Sequence, residues 1–459
     1  MSARGGETEE AALMPSIFDM RRIGAVALAG ALLWTGAARI GTAAAADAAE
    51  PAAASAQAAA TAAAEPYRIV VLGDSISVGY EPGATKASDL YGYADRLLDQ
   101  ALLHGRAEET NFAIMGLTTE GLNRYLQGAK DRKPLTAAQL QDFSGFDPRI
   151  AAEAEQAAAR TVQLGDALAQ ANLVALTIGG NDFLDYIRQL STLSSQDALA
   201  ALDRDMDAKL NNYAAQAEQA VRLIHDLAPR AQIRMTDQYL PIPEQYDAEL
   251  YKRLLQETDD LADRLDKMAD KLRDEQIDVA IVPIRQLFVG KELSYTHIFD
   301  AKDVHPNQAG YAAIAEAFAD ALWGKYTIIP YASKGSGAQP APPAIYIDGS
   351  PLATANKPVL KNGTTFLALS DIAAATHAQL TWDNKTRTAA FRKNGNTVSI
   401  AIGAKTMTVN GAAKPVAAPA YLQQVGTQLK TYVPLAAVAE GLQYQVVFRS
   451  KLYTAFIHS

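Results

Sequence analysis

The chain of 459 residues contains no cysteine. That absence excludes disulfides, thiolate metal sites, a cysteine nucleophile and a lipid-modified cysteine anchor. Histidine is scarce, with 6 in all. His297 lies close to His305, but no third ligand follows at metal spacing, so no zinc site is expected. No basic stripe accompanies the net charge of −9. A nucleic-acid partner is therefore not expected, because nothing stands ready to neutralise phosphates. Gly-x-Ser-x-Gly, the phosphate-binding Walker loop and the dinucleotide glycine fingerprint are all missing. No cofactor is expected.

The N-terminal region does carry a pattern. Met20-Arg21-Arg22 is a positive start, Ile23 to Ala38 is apolar, and Ala44-Ala45-Ala46 has the small residues of a cleavage site. The apolar run is short of the roughly 20 residues of a membrane span. Residues 1–46 therefore read as a signal peptide region, and the product as secreted or cell-envelope associated after cleavage near Ala46. Residues 47–65 are an alanine-rich linker. A second linker, 331–343, holds the Gly, Ser and Pro cluster from Ser333 to Pro343. Residues 66–330 and 344–459 are then two separate domains.

Strand-like and helix-like patterns alternate in the first domain. Tyr67–Gly73, Thr110–Met115, Leu173–Ile178, Gln232–Thr236 and Ile277–Val282 are short runs of strand character. Pro148–Leu168, Ser195–Leu227, Ala248–Glu275 and Gln308–Trp323 carry apolar residues at helical spacing. This alternation predicts a parallel sheet covered on both faces. Ligands of such sheets bind beyond the carboxyl ends of the strands, so chemistry is expected just after them.

The second domain contains an internal repeat. Phe366-Leu367-Ala368-Leu369, Ile372-Ala373-Ala374, Leu380-Thr381-Trp382 and Ala390-Phe391 have counterparts further on. These are Tyr432-Val433-Pro434-Leu435, Val438-Ala439-Glu440, Val446-Val447-Phe448 and Ala455-Phe456. Each half reads as strand, short helix and hairpin. Asp348-Gly349 and Asn410-Gly411 mark tight turns.

Four blocks follow the predicted strands: Gly73-Asp74-Ser75-Ile76-Ser77, Gly116-Leu117-Thr118-Thr119, Gly179-Gly180-Asn181-Asp182, and Asp300 through Asn307. Each alone is an ordinary turn or helix start. Together, and in order, they supply what ester hydrolysis needs. Ser75 offers a hydroxyl, and His305 can accept its proton and return it. An aspartate can hold the imidazole tautomer. Backbone N–H groups of Ser75 and Gly116 and the Asn181 amide can converge on an oxyanion. Asp74 and Asp182 are read either as loop-holding groups or as ordinary turn residues. Tyr80, Tyr239 and Phe183 are read as core or pocket lining, with core favoured.

These blocks resemble the GDSL/SGNH hydrolase family over roughly residues 66–326. The resemblance implies a flavodoxin-like three-layer α/β/α sandwich with a five-stranded parallel sheet. By position it makes Ser75 the nucleophile, Gly116 and Asn181 the oxyanion partners, and His305 the base. The family's aspartate stands three residues before the histidine, and here that residue is Lys302. Asp303 and Asp300 are the candidates for its role, and the shorter loop favours Asp303. The C-terminal module, small and α+β, resembles the copper amine oxidase N-terminal-like domain. Only His377 and His458 occur there, so no copper is implied. It reads as an attachment module, for example to the cell wall, or as a purely structural domain.

The expected activity is a secreted serine esterase or acylhydrolase working through an acyl-enzyme. It needs a neutral imidazole, so activity should fall below about pH 6.5. Nothing in the sequence chooses between lipid acyl and carbohydrate O-acetyl esters. A catalytically inactive cell-envelope binding protein is the rival, supported by Lys302, and acyl transfer to a polymer hydroxyl is a third reading.

Overall fold

The computed structural model describes residues 64–84, 87–332, 334 and 341–459. The signal-peptide reading of residues 1–46 and most of the linker before residue 64 lie outside them. The described chain forms two compact units, one built from Tyr67–Ala101 and Ala107–Thr327, the other mainly from Ile328–Ser459.

The first unit begins with β1 (Tyr67–Gly73), α1 (Ser75–Val78), α2 (Tyr93–His104) and β2 (Ala107–Asn111). Next come α3 (Thr119–Lys130), α4 (Ala137–Leu140), α5 (Pro148–Ala158), α6 (Thr161–Leu168) and β3 (Leu173–Thr177). Then follow α7 (Gly180–Leu190), α8 (Ser195–Leu227), β4 (Gln232–Thr236), α9 (Ala248–Asp274) and β5 (Val279–Val282). The last are α10 (Arg285–Phe288), α11 (Glu292–Tyr295) and α12 (Gln308–Trp323). The sheet order is β2-β1-β3-β4-β5, with every pairing parallel. That is the flavodoxin-like doubly wound order, whose direction reverses beside β1. The five-stranded parallel sheet and its α/β class follow the expectation.

Burial explains which strands are legible. All five residues of β3 are buried, as are the last five of β1. Strands covered on both faces read as continuous apolar runs. The edge strand β2 is polar, Ala-Glu-Glu-Thr-Asn, and only Ala107 is buried. The second strand was expected at Thr110–Met115 and lies earlier for that reason. Its ladder to β1 nonetheless runs on, with Phe112 N–H on Val71 O and Ile114 N–H on Gly73 O, both at 2.9 Å. Pro148–Leu168 is not one helix. Leu135 N–H takes the Ala158 carbonyl at 3.1 Å, and buried Thr161 turns its hydroxyl to Lys133 O at 2.7 Å. With those groups drawn sideways, the helix breaks into α5 and α6.

In the second unit, strand Thr364–Ala368 leads into helix Leu369–Thr376 and the hairpin Gln379–Asp383 with Thr388–Lys393. Strand Gln428–Pro434 leads into helix Leu435–Gly441 and the hairpin Gln445–Arg449 with Thr454–His458. The two leading strands pair antiparallel, Val433 opposite Leu367. Asp348-Gly349 and Asn410-Gly411 have positive φ at both positions, the mirror-image turn that matches strand twist.

Candidate active site

The chain leaves β1 and turns at once into α1. Gly73 has φ +120°, and a Cβ there would lie 2.0 Å from the Thr177 carbonyl of β3. Only glycine lets the two strand ends approach this closely. Asp74 caps α1, accepting from Ile76 N–H at 3.1 Å. Ser77 ties the turn to β3 and α2 through the Thr177 and Tyr93 hydroxyls, each at 2.8 Å. Ser75, the first residue of α1, is thereby fixed at the carboxyl edge of the sheet.

His305 Nε2 lies 2.7 Å from Ser75 Oγ. Its Nδ1 lies 2.6 Å from Asp303 Oδ1, which also accepts from His305 N–H at 2.8 Å. Ionised Asp303 only accepts, so Nδ1 carries the proton and Nε2 is left to receive the Ser75 hydroxyl. All three residues are buried. Asp303 stands two residues before His305, directly after Lys302, whose left-handed φ of +54° turns the chain just ahead of it. Asp300 points elsewhere: its carboxylate meets His297 Nδ1 at 3.2 Å. His297 also lies 3.6 Å from Glu81.

Gly116 sits in the loop after β2 with φ +76°, and an added Cβ would meet the Phe146 ring at 2.6 Å. Gln141 pins this loop, donating to Gly116 O at 2.8 Å and accepting from Thr118 N–H at 2.8 Å. Among the described residues, the backbone N–H groups of Ser75 and Gly116 donate to no protein acceptor. Asn181, the second residue of α7, gives one amide hydrogen to Leu117 O at 3.0 Å. Asp182 accepts from Thr119 N–H at 3.0 Å and from its hydroxyl at 3.0 Å. Asp74 and Asp182 therefore both hold loops. Gln141 and Ser77 carry no sequence signal, since their partners are distant in the chain.

Burial sets the local electrostatics. It pushes Asp74 up to about 7, opposed by the Ile76 N–H and by His305. It pushes Asp182 up to about 6, against the Thr119 N–H and hydroxyl. Burial also works against the charged forms of Asp303 and His305, but each stabilises the other. Their attraction and hydrogen bond leave Asp303 below and His305 above the ordinary values.

Ser75, Asn181 and His305 line a cavity of about 150 Å³. Gly116 does not line it. Phe183, Leu184, Ile187, Met206, Leu210, Leu240, Ile242, Leu254 and Leu261 make most of its wall, from α7, α8, α9 and the loop after β4. Tyr239 and Phe183 belong to this lining. Tyr80 instead sets its ring edge against the His305 imidazole, with centroids 4.7 Å apart. Among the described residues, no group of three or more His, Cys, Asp or Glu is placed to hold a metal ion.

A doubly wound sheet that carries a hydroxyl on a buried imidazole at its switch point, open to an apolar cavity, is the architecture of an ester-hydrolysing enzyme. The chain belongs to the GDSL-like lipase/acylhydrolase family, whose model matches residues 69–318. The copper amine oxidase N-terminal domain model matches residues 346–457. Solved structures with a similar fold include a lipase from a goat rumen metagenome, 17% identical, covering 56% of this chain and 97% of that one, TM-score 0.38. An extracellular lipase from Streptomyces rimosus is 19% identical, covering 56% of this chain and 99% of that one, TM-score 0.36. A phospholipase A1 from Streptomyces albidoflavus is 18% identical, covering 57% of this chain and 100% of that one, TM-score 0.36. No curated protein matches the chain.

Proposed function

We propose that the protein is an exported serine acylhydrolase that cleaves carboxylic esters with apolar acyl groups. His305 takes the Ser75 proton as Oγ attacks the ester carbonyl, and the C–O bond to the leaving alcohol breaks as His305 returns that proton. Water, activated by the same imidazole, then releases the acid from Ser75. Asp303 holds Nδ1 protonated throughout and stabilises the imidazolium. The oxyanion is met by the N–H groups of Ser75 and Gly116 and by the Asn181 amide.

The observation that carries this reading is the unbroken chain Asp303–His305–Ser75, at 2.6 and 2.7 Å, opening on the apolar cavity. It favours catalysis over an inactive binding protein, because Asp303 takes the place that Lys302 leaves empty. The lining favours hydrocarbon acyl groups over O-acetyl sugars, since each buried methylene contributes about 0.8 kcal/mol. Export rests on the basic and apolar run at residues 20–46.

Pre-steady-state hydrolysis of p-nitrophenyl esters tests the scheme. A burst of p-nitrophenol stoichiometric with enzyme, larger for octanoate than for acetate in kcat/KM, is expected. Turnover no faster than in buffer would remove the proposal.

The pH profile is a second expected result. The imidazole must be neutral to act, and its pKa in the folded protein is raised. The acid limb of kcat/KM should therefore have its midpoint above pH 6.5, with activity lost as pH falls through it. Asp74, at about 7, titrates in the same window, so the limb belongs to the coupled pair. Activity that stays flat down to pH 5 would contradict this assignment.

A further inference from the structure

Helix α9 buries one stripe, and a carboxylate stands in it. Leu250, Leu254, Leu261, Leu265 and Met268 are core residues of that stripe, and Glu257 among them is only 4% exposed. A charge in such a place is unfavourable unless it is met. Arg253, one turn earlier, forms an ion pair with it and also reaches Asp203 of α8 at 3.1 Å. Arg253 meets Oε1 itself, out of hydrogen-bond alignment, so the charge is matched while the carboxylate can still accept from a further donor. Burial holds the carboxyl above its usual range, with Arg253 and Arg264 opposing and Asp260 reinforcing. Packing alone asks for a leucine here.

The same residue lines the cavity that holds Ser75 and His305. On α9 the lining residues are Leu254, Glu257, Thr258 and Leu261. Their spacing is one helix face over two turns, about 10 Å at a rise of ~1.5 Å per residue. The Thr258 hydroxyl is already committed to Leu255 O at 2.8 Å. Glu257 is thus the charged acceptor on this largely apolar wall.

We propose that Glu257 is a specificity-determining residue for the acyl group, selecting chains that carry a hydroxyl along their length over plain alkyl chains. The inference rests on the esterase reading of Ser75 and His305. An alkyl chain laid across the wall shuts the carboxylate off from solvent and leaves it no donor besides Arg253. A chain hydroxyl donates its O–H to Oε1, while the leucines around it take the methylenes. Sites built to bond a hydroxyl reject the analogue that lacks it, because their buried acceptor is then stranded.

The test compares kcat/KM for p-nitrophenyl octanoate with its 6-hydroxy and 8-hydroxy forms, in wild type, Glu257→Leu and Glu257→Gln. Wild type should favour at least one hydroxy ester by about tenfold. Glu257→Leu should reverse the order, gaining on octanoate and losing on the hydroxy ester. Glu257→Gln, which keeps an acceptor oxygen, should retain part of the preference. Thermal unfolding checks that each variant folds, and if Glu257→Leu does not, the wild-type and Glu257→Gln ratios decide. A wild-type preference for plain octanoate over both hydroxy forms overturns the inference, as does an unchanged ratio in folded Glu257→Leu. Turnover of p-nitrophenyl acetate by wild type separates the two readings. If acetate is cleaved and the hydroxyl preference is missing, only the role of Glu257 fails. If neither acetate nor any of the octanoate esters is cleaved, the esterase reading fails and this inference with it.

Discussion

Replacing Ser75 by alanine is expected to lower kcat for p-nitrophenyl esters by on the order of 10⁴–10⁶, with little change in thermal stability. The size follows from the acyl-enzyme scheme. Without Oγ no acyl group can be held, and only the oxyanion donors and the cavity still act on the ester. The structural change is small, because Ser75 is the first residue of α1, and the Asp74 cap and the Gly79 carboxyl-terminal cap stay in place. One hydrogen bond, Ser75 Oγ to His305 Nε2 at 2.7 Å, is lost, a net effect near 1 kcal/mol. His305→Ala should cause a similar loss. The double variant should be scarcely worse than either single one, because residues acting as one unit are strongly non-additive. Losses that multiply in the double variant would mean that the two side chains act separately.

Asp303→Asn is expected to lower kcat by on the order of 10³–10⁴, whereas Asp300→Asn should change it by less than about fivefold. Asp303 Oδ1 bonds both the ring Nδ1 and the backbone N–H of His305. An asparagine amide facing Nδ1 would favour the wrong tautomer, with Nε2 protonated and unable to receive the serine proton. It would also remove the charge that raises the His305 pKa. Whatever activity remains should therefore have its acid limb displaced toward lower pH. Asp300 is different in kind. Its side chain is 66% exposed and pairs with His297, an interaction that water largely screens. Steady-state kinetics on the two variants, with both pH profiles, checks this. Equal losses would mean that His305 does not depend on Asp303.

The central layers of the fold are legible in the sequence for a physical reason. β1 and β3 are buried on both faces and appear as uninterrupted apolar runs, and α8 begins with a Ser194 cap ahead of its periodic stripe. The edge strand β2 is hidden because its exposed side chains are polar. The break between α5 and α6 is hidden because its causes, Leu135 N–H and Lys133 O, lie in another segment. The site divides the same way. Its four blocks are local in sequence and visible there as motifs. Which carboxylate faces His305 depends on the left-handed turn at Lys302, a conformation that no residue pattern announces. The cavity is less visible still. Met206, Leu210, Leu254 and Leu261 look like ordinary helix core until the fold sets them beside Ser75. One signal does stand in the sequence unread: Glu257 interrupts the apolar stripe of α9.

Labelling of the purified protein with a fluorophosphonate probe, followed by peptide mass mapping, tests the proposed chemistry most directly. The account predicts one probe per chain, attached at Ser75 and absent from folded Ser75→Ala. Folded wild-type protein that takes up no probe, or labelling that survives in Ser75→Ala, would contradict it.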